Sequence, residues 1–265
     1  MLRLLGNACE LSDRENPQEL LMTYCCGLRL KDGLIFVSDT RTNAGVDHIS
    51  VFRKLYTFGI EGERFITIQT SGNLATTQAV IGHLNNHLEL KVEPNLYSVN
   101  TMFEMAELVG DLLKKVITDV TDDIQERSNY YCSLLLGGQI GNTTMQLYNI
   151  YPQGNFISAT EDTPYFQIGE SKYGKPILDR ALSYEMPLDE AARCCLISFD
   201  STLRSNVSVG MPLDLIVYKK DSLHISNGKR IYQEDPYFRQ LSKEWSDTLR
   251  LGLQQLPVPT ADYLE

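Results

Sequence analysis

The sequence predicts an α+β fold in which antiparallel sheets are layered with paired helices. Strand patterns come first, two helical segments follow, and the chain then repeats this alternation before ending on further strands and a helical tail. Helices that occur in pairs between groups of hairpin-connected strands favour layers over a doubly wound parallel sheet. A four-layer αββα sandwich fits this order, and composition alone does not separate it from other layered α+β folds.

The first half of the chain alternates hairpins with helices. An Asp-Gly turn signal at 31–33 and the Gly-bounded turn at 59–62 each separate two β-rich runs. Polar residues at 71–73 precede the first helical segment, and the second shows apolar residues at helical spacing. The predicted strands are Tyr24–Leu30, Leu34–Ser38, Arg53–Phe58 and Phe65–Thr70, and the predicted helices are Leu74–Leu88 and Val99–Ile124.

The second half repeats this pattern and adds a tail. Pro187 lies just ahead of its second helix, where proline suits the first turn. The predicted strands are Tyr131–Gly137, Thr144–Tyr151, Phe156–Ala159, Tyr165–Ile168, Leu213–Lys219 and Leu223–Ser226, and the predicted helices are Lys172–Leu182, Leu188–Arg204 and Glu234–Leu253. We therefore divide the chain into an upstream extension (1–21), one folded domain (22–232) and a C-terminal helical tail (233–265).

Composition excludes several classes of function. The chain has 265 residues with 43% apolar and 22% charged residues, which is ordinary for a globular domain. A formal net charge of −10 argues against nucleic acid as a partner, because such binding rests on clustered Lys and Arg. No apolar run approaches the roughly 20 residues of a membrane helix. We expect a cytoplasmic protein that needs no membrane and no cofactor.

Cysteine and histidine spacing gives no support for a metal site. The six cysteines, at 9, 25, 26, 132, 194 and 195, lack the CxxC spacing of zinc sites and fit small buried apolar residues. His83 and His87 have the helical spacing of zinc peptidases, but Asn85 and Asn86 fill the interval where an activating Glu is needed. We interpret the two histidines as surface residues of one helix.

Thr23 carries the strongest chemical signal if it becomes the first residue. An α-amine has a pKa near ~8, so a useful fraction is neutral at pH 7 and can take the proton of the Thr hydroxyl. Lys54 as an ammonium then stabilises the developing negative charge, and Asp39 orients Lys54. Gly72, at a strand-to-helix turn, offers a backbone N–H for an oxyanion hole. Equally, a Thr, an Asp and a Lys near strand ends are common surface residues.

Several long strings resemble one known family. Met22-Thr23-Tyr24-Cys25, the run 38–47 and Phe52-Arg53-Lys54 are similar to the bacterial proteasome-related proteins called Anbu, and so are the strings 168–180 and 201–210. The resemblance extends over roughly residues 22–232. Anbu is in turn similar to proteasome β subunits and to HslV, which are N-terminal-nucleophile hydrolases with the αββα fold. The resemblance thus implies a homo-oligomeric ring or spiral that acts on peptides or isopeptides as a threonine-type hydrolase.

The resemblance also implies roles for particular residues. Thr23 matches the nucleophile, Asp39 and Lys54 match the acid and the lysine beside it, and Gly72 matches the oxyanion-hole glycine. Supporting roles fall to Ser171, Ser205 and Ser208, with Ser205 standing where proteasome β subunits usually have Asp. By the same resemblance Thr42, Asn43 and Ala44 line the substrate cleft. The replaced Asp predicts a different hydrogen-bond network around the amine, and so a weaker peptidase.

The residue before Thr23 indicates how the amine is freed. Propeptides of proteasome β subunits usually end in Gly, whereas Met22 precedes Thr23 here. We expect translation to begin at Met22, since a small second residue permits removal of the initiator Met. Gln18-Glu19 can be encoded as CAGGAG, which contains a ribosome-binding signal at a suitable place. Residues 1–21 would then be untranslated leader.

Three functions remain open from the sequence. The first is a threonine-type hydrolase that forms an acyl-enzyme on Thr23. The second is a non-catalytic or weakly active ring scaffold with the same fold. The third is another N-terminal-nucleophile activity, such as an amidohydrolase or an acyl transferase. Covalent modification of Thr23 by an electrophilic inhibitor separates the first from the second.

Overall fold

The strands of the computed structural model, which describes residues 23–43 and 49–264, form two five-stranded sheets and one short ribbon. The predicted segment 1–21 lies outside the described residues. Strands and helices are numbered along the chain. The first sheet contains β1 (Tyr24–Leu30), β2 (Gly33–Ser38), β10 (Tyr165–Gly169), β11 (Leu213–Lys219) and β12 (Lys229–Ile231), in the order β10-β1-β2-β11-β12. All its neighbours pair antiparallel.

The second sheet is a meander in which each strand pairs antiparallel with the next along the chain. It contains β5 (Leu55–Ile60), β6 (Arg64–Gly72), β7 (Cys132–Ile140), β8 (Gln146–Ile150) and β9 (Phe156–Ser158). A separate ribbon pairs β3 (Arg41–Asn43) with β4 (Ile49–Val51). No pattern in the sequence predicts this ribbon, because three-residue strands are too short to show a period.

Successive side chains on each strand point to opposite faces of the sheet and so form three hydrophobic cores, one between the sheets and one between each sheet and its helices. Cys25, Phe36 and Phe65 point into the space between the two sheets, where the ring of Phe65 stacks on that of Tyr218 at 4.3 Å between centroids. Residues one position away, such as Tyr24 and Ile66, point outward and pack against helices. Two sheets buried on both faces in this way need helices outside them, which gives the four layers of the αββα sandwich.

The outer layers are the two helix pairs and the tail helix. On the second sheet lie α1 (Leu74–Glu89) and α2 (Met102–Val120), and on the first lie α3 (Lys175–Ala181), α4 (Leu188–Ser205) and α5 (Pro236–Gln255). Asn73 caps α1 by accepting from Thr76 N–H, and Thr101 and Glu104 form a capping box on α2. These caps fix where the helices begin, and Asn73 directly follows Gly72, one of the predicted site residues.

The hairpin predicted at the start is confirmed, with Leu30 opposite Gly33. The strand predicted at Leu223–Ser226 is wrong. In that segment Leu223 C=O accepts from Gly62 N–H, and Ile225 N–H donates to the Glu61 carboxylate at 3.0 Å. The backbone there is bound to the β5–β6 turn of the other sheet, so β11 pairs with β12 instead.

Two predicted helices are shorter in the structure. The second was predicted to reach Ile124 but ends at Val120, where Thr121 adopts an extended conformation and a short 3₁₀ helix follows at Glu126–Tyr130. The third was predicted from Lys172 and begins at Lys175. None of the helices in the described part of the chain is long and apolar enough to cross a membrane.

Candidate active site

Asp39 is a buried carboxylate at the end of β2 that gathers four donors. Its Oδ1 accepts from Lys54 Nζ at 2.8 Å and from Tyr24 N–H at 3.0 Å. Its Oδ2 accepts from the backbone N–H groups of Arg41 and Gly210, each at 3.2 Å. The side chain is fully inaccessible to solvent. Such a carboxylate stays in place only because its oxygens are bonded from several elements at once.

Lys54 lies just before β5 and is almost as deeply buried, with a side chain 6% exposed. Besides Asp39, its Nζ donates to the carbonyl oxygen of Arg41 at 2.6 Å. Its own carbonyl accepts from Thr70 N–H at 2.9 Å, which ties it to β6. The ammonium therefore connects the first sheet with the edge of the second.

Burial determines the direction in which the pKa of Asp39 is shifted. Removal from water raises the pKa of this carboxyl, and this outweighs the nearby Lys54 ammonium and the hydrogen bonds from Tyr24 and Gly210 N–H, which act to lower it. A buried ion pair of this kind adds little to stability, since desolvation consumes most of the attraction between the charges. The arrangement is therefore more typical of a functional site than of a structural salt bridge.

Thr23 adjoins this pair through its own backbone. Its carbonyl accepts from Glu170 N–H at 2.6 Å, and the next amide along the chain, Tyr24 N–H, bonds the same Asp39 oxygen as Lys54. The Lys54 ammonium thus lies within two hydrogen-bond lengths of the peptide nitrogen that follows Thr23. The structure brings Thr23, Asp39 and Lys54 together.

Gly169 allows Thr23 to sit this close to β10. It has φ +82°, and a Cβ added there would lie 2.1 Å from the Thr23 carbonyl oxygen. Only glycine accepts both this backbone conformation and this approach. Gly169 therefore determines how closely the Thr23 carbonyl approaches β10.

Gly72 lies at the junction of β6 and α1, directly before the cap Asn73. It has φ +113°, and an added Cβ would lie 2.5 Å from the carbonyl oxygen of Tyr131. A strand that turns into a helix through a glycine leaves backbone N–H groups near the helix start, as an oxyanion hole requires.

Two of the three expected supporting serines lie at the surface. Ser171 and Ser205 are exposed, and Ser205 is the last residue of α4. The next residue, Asn206, donates from Nδ2 to the Glu170 carboxylate at 2.6 Å, and its Oδ1 accepts from Ser208 N–H at 2.9 Å. Glu170 and Asn206 were missed as site residues, although each is the sequence neighbour of a predicted one.

The predicted cleft residues are only partly described. Thr42 is half-buried on β3 and pairs with Ser50, and Asn43 pairs through its backbone with Ile49. Ala44 lies outside the described residues. Arg41, which begins the same strand, lines an open cavity of about 640 Å³ together with Gly210, Met211, Phe238 and Arg239. Arg41 and Gly210, whose backbone N–H groups bond Asp39 Oδ2, thus both line this cavity.

Among the described residues, no thiol in this region is prepared for nucleophilic attack. Cys25 lies nearest the pair, donates weakly to the Thr70 carbonyl at 3.6 Å and is fully buried. Burial raises the pKa of this thiol well above its ordinary value, so it stays protonated at neutral pH. Within the described residues, no group of His, Cys, Asp or Glu has the arrangement of a metal site.

Comparisons with known proteins agree with this fold. The family model for proteasome subunits matches residues 23–217. A structure of Anbu (ancestral beta-subunit) from Yersinia bercovieri is 51% identical with a TM-score of 0.86, covering 90% of this chain and 99% of that chain. A helical assembly of the Anbu complex from Pseudomonas aeruginosa is 49% identical with a TM-score of 0.87, covering 91% and 100%. Anbu from Hyphomicrobium sp. strain MC1 is 45% identical with a TM-score of 0.83, covering 90% and 100%. Comparison with curated proteins gave no match.

Two packed antiparallel sheets with helix pairs outside, and a Thr, Asp and Lys together at one end, define a proteasome-like sandwich of the N-terminal-nucleophile type. The fold class predicted from the sequence is confirmed. The chain belongs to the proteasome-subunit family and, within it, to the Anbu proteins.

Proposed function

We propose that this protein is a threonine-type amide hydrolase that acts on peptides or isopeptides when Thr23 is the first residue. The observation that carries the proposal is the buried Asp39–Lys54 pair, which shares an oxygen with the amide next to Thr23. Further support comes from the proteasome-subunit match, which begins at residue 23.

The mechanism assigns one task to each group. The neutral α-amine of Thr23 takes the hydroxyl proton while Oγ attacks the substrate carbonyl carbon. Lys54 stabilises the negative charge on Thr Oγ as it forms, and Asp39 holds Lys54 in place. Backbone N–H at Gly72 binds the oxyanion of the tetrahedral intermediate. When that intermediate collapses, the C–N bond breaks and the α-ammonium returns its proton to the leaving amine. Water then hydrolyses the Thr23 ester by the same route.

Two further assignments accompany the activity. We infer that this chain assembles with copies of itself into a ring or spiral, as its relative from Pseudomonas aeruginosa forms a helical assembly. We also assign it to the cytoplasm. Thr42 and Asn43 with Ala44 would line the cleft. Ser171 would support the site from the loop after β10, and Ser205 and Ser208 from the end of α4 and the loop that follows it.

A non-catalytic scaffold is the second candidate, and the exposure of Ser205 favours it. A side chain at the surface gives a poor hydrogen bond to a buried amine. By the resemblance, Ser205 stands in the place of an Asp of proteasome β subunits. This candidate predicts normal assembly and no acyl-enzyme.

A covalent probe separates the two candidates. A peptide α′,β′-epoxyketone reacts with both the hydroxyl and the free amine of an N-terminal Thr, so an adduct reports both groups. We expect one adduct per chain in protein that starts at Met22, after removal of that Met, as measured by intact mass. The same chain with Thr23→Ala, and the chain from Met1 with Thr23 still amide-bound, should give none. Absence of an adduct on the processed chain would refute the hydrolase and support the scaffold.

A further inference from the structure

Ser71 contributes a buried hydroxyl that has no hydrogen-bond partner among the described residues. The residue is 3% exposed, and its Oγ is inaccessible to solvent. A buried hydroxyl without a partner costs stability, so such a group is uncommon and points to a partner that is absent. In the structure Thr23 is still joined to residue 22 by an amide bond.

The Ser71 side chain faces the space between the sheets. Gln69, two residues earlier on β6, donates from Nε2 to the Val37 carbonyl of β2 at 2.8 Å, across the sandwich. Side chains two apart on a strand share a face, so Ser71 points toward the first sheet as well.

The hydroxyl also lies close to Thr23. A Cβ placed on Gly169 would be 2.8 Å from Ser71 Oγ and 2.1 Å from the Thr23 carbonyl oxygen. Both oxygens thus border the same small space beside Gly169. The serines expected to support the amine, Ser171 and Ser205, are exposed, whereas this one is enclosed.

We propose that Ser71 is a positioning residue whose Oγ accepts a hydrogen bond from the free α-amine of Thr23. This rests on the proposed function. Release from residue 22 turns the single N–H of an amide into an amine with additional N–H donors. One of these satisfies Ser71, and the nitrogen lone pair is then held toward Thr23 Oγ.

The test compares matched variants of the chain that starts at Met22. Ser71→Ala removes the hydroxyl, and Ser71→Thr keeps it. Thr67→Val is the control, because Thr67 lies on the same strand and face and is about 13 Å away. Its buried hydroxyl also has no hydrogen-bond partner in the part of the chain that the structure describes. The first readout is the rate of epoxyketone labelling at Thr23 as a function of pH.

For Ser71→Ala we expect the labelling rate on the high-pH plateau, where the amine is neutral, to fall about tenfold. Loss of one hydrogen bond has an effect of this size. The midpoint of the rise in labelling rate with pH should also move to lower pH by about half a unit. Without the Ser71 hydroxyl, the α-ammonium loses a hydrogen-bond acceptor that favours the charged form. Ser71→Thr should restore both values, and Thr67→Val should change neither. Unchanged rate and midpoint in Ser71→Ala, or equal changes in Thr67→Val, would overturn the assignment.

A second readout keeps the inference separate from the hydrolase proposal. The α-amine pKa can be measured by NMR titration of the N-terminal Thr, which requires no reaction with a probe. If wild type never labels, the hydrolase proposal fails, and the amine pKa still decides the role of Ser71. A lower amine pKa in Ser71→Ala than in wild type and Thr67→Val supports the contact, and equal values in all three overturn it.

Discussion

Removing the positive charge of Lys54 should destabilise the protein strongly. In Lys54→Met the side chain keeps its length but leaves the Asp39 carboxylate, fully inaccessible to solvent, without its ammonium. Loss of one partner from a buried pair costs about 3–5 kcal/mol, because the remaining charge is uncompensated. With a urea m-value of about 3 kcal/mol/M, the unfolding midpoint should fall by about 1–1.7 M. Urea denaturation at one protomer concentration and pH 7 measures this shift.

The matched control is Lys31→Met, which breaks an ion pair with Glu185 on the surface. Both of its side chains are more than half exposed, so water screens the pair and the midpoint should not move measurably. The double variant Lys54→Met with Asp39→Asn should recover much of the loss, since it removes the stranded charge. A loss in Lys54→Met no larger than in Lys31→Met would refute the argument that the pair is buried and coupled.

The loss should depend on pH with a definite sign. Burial raises the pKa of Asp39, and Lys54 is the largest opposing influence, so the pKa should be higher still in Lys54→Met. A raised carboxyl pKa means that the folded state binds the proton more tightly than the unfolded state, whose pKa is about 3.9. Stability of the variant therefore falls as pH rises from about 4 through the raised pKa. The difference from wild type should be small at pH 4 and should grow as pH rises toward neutrality.

Three further outcomes are expected. Tyr24→Phe should lower the free energy of unfolding by about 1–2 kcal/mol in urea titrations, because Ser198 and Gln167 each bond the Tyr24 hydroxyl at 2.6 Å; no loss would mean that this network is replaced by water. Gly169→Ala should abolish epoxyketone labelling of Thr23, since its Cβ would strike the Thr23 carbonyl oxygen; labelling at the wild-type rate would show that this end of β10 shifts to make room for the methyl group. The cysteines at 25, 26, 132, 194 and 195 are buried, and burial raises the pKa of Cys132 to about 12 and of Cys194 to about 11. They should resist alkylation at pH 8 until the protein is unfolded, as mass spectrometry would detect.

The strands and helices that the sequence predicted well are those with a complete local signal. The hairpin around Asp32 has its turn residues and its alternation in one stretch. The apolar stripe of α2 predicted that a helix is present, although the predicted ends at Val99 and Ile124 lie beyond the observed Met102–Val120. The segment Leu223–Ser226 has strand-like composition, yet its backbone bonds the β5–β6 turn. That competition comes from a distant part of the chain, and no local pattern shows it.

The candidate site divides in the same way. Thr23, Asp39 and Lys54 were named from residue types, spacing and a family resemblance. Gly210 and Arg41, which bond the Asp39 carboxylate through backbone N–H groups, have no side-chain signal to reveal that task. Glu170 and Asn206 pair across 36 positions, and each alone is an ordinary polar loop residue.

By itself, the sequence determined the layered α+β class, the Anbu resemblance and the three residues of the proposed Thr-Asp-Lys group. Hydrophobic period, turn residues and contiguous strings are local properties, so they can be read along the chain. Only the tertiary structure decided that Asp39 and Lys54 are enclosed, that Ser205 is at the surface and that the buried hydroxyl of Ser71 has no partner within residues 23–43 and 49–264. Burial and hydrogen-bond partners depend on segments far apart in sequence, and these meet only when the two sheets pack.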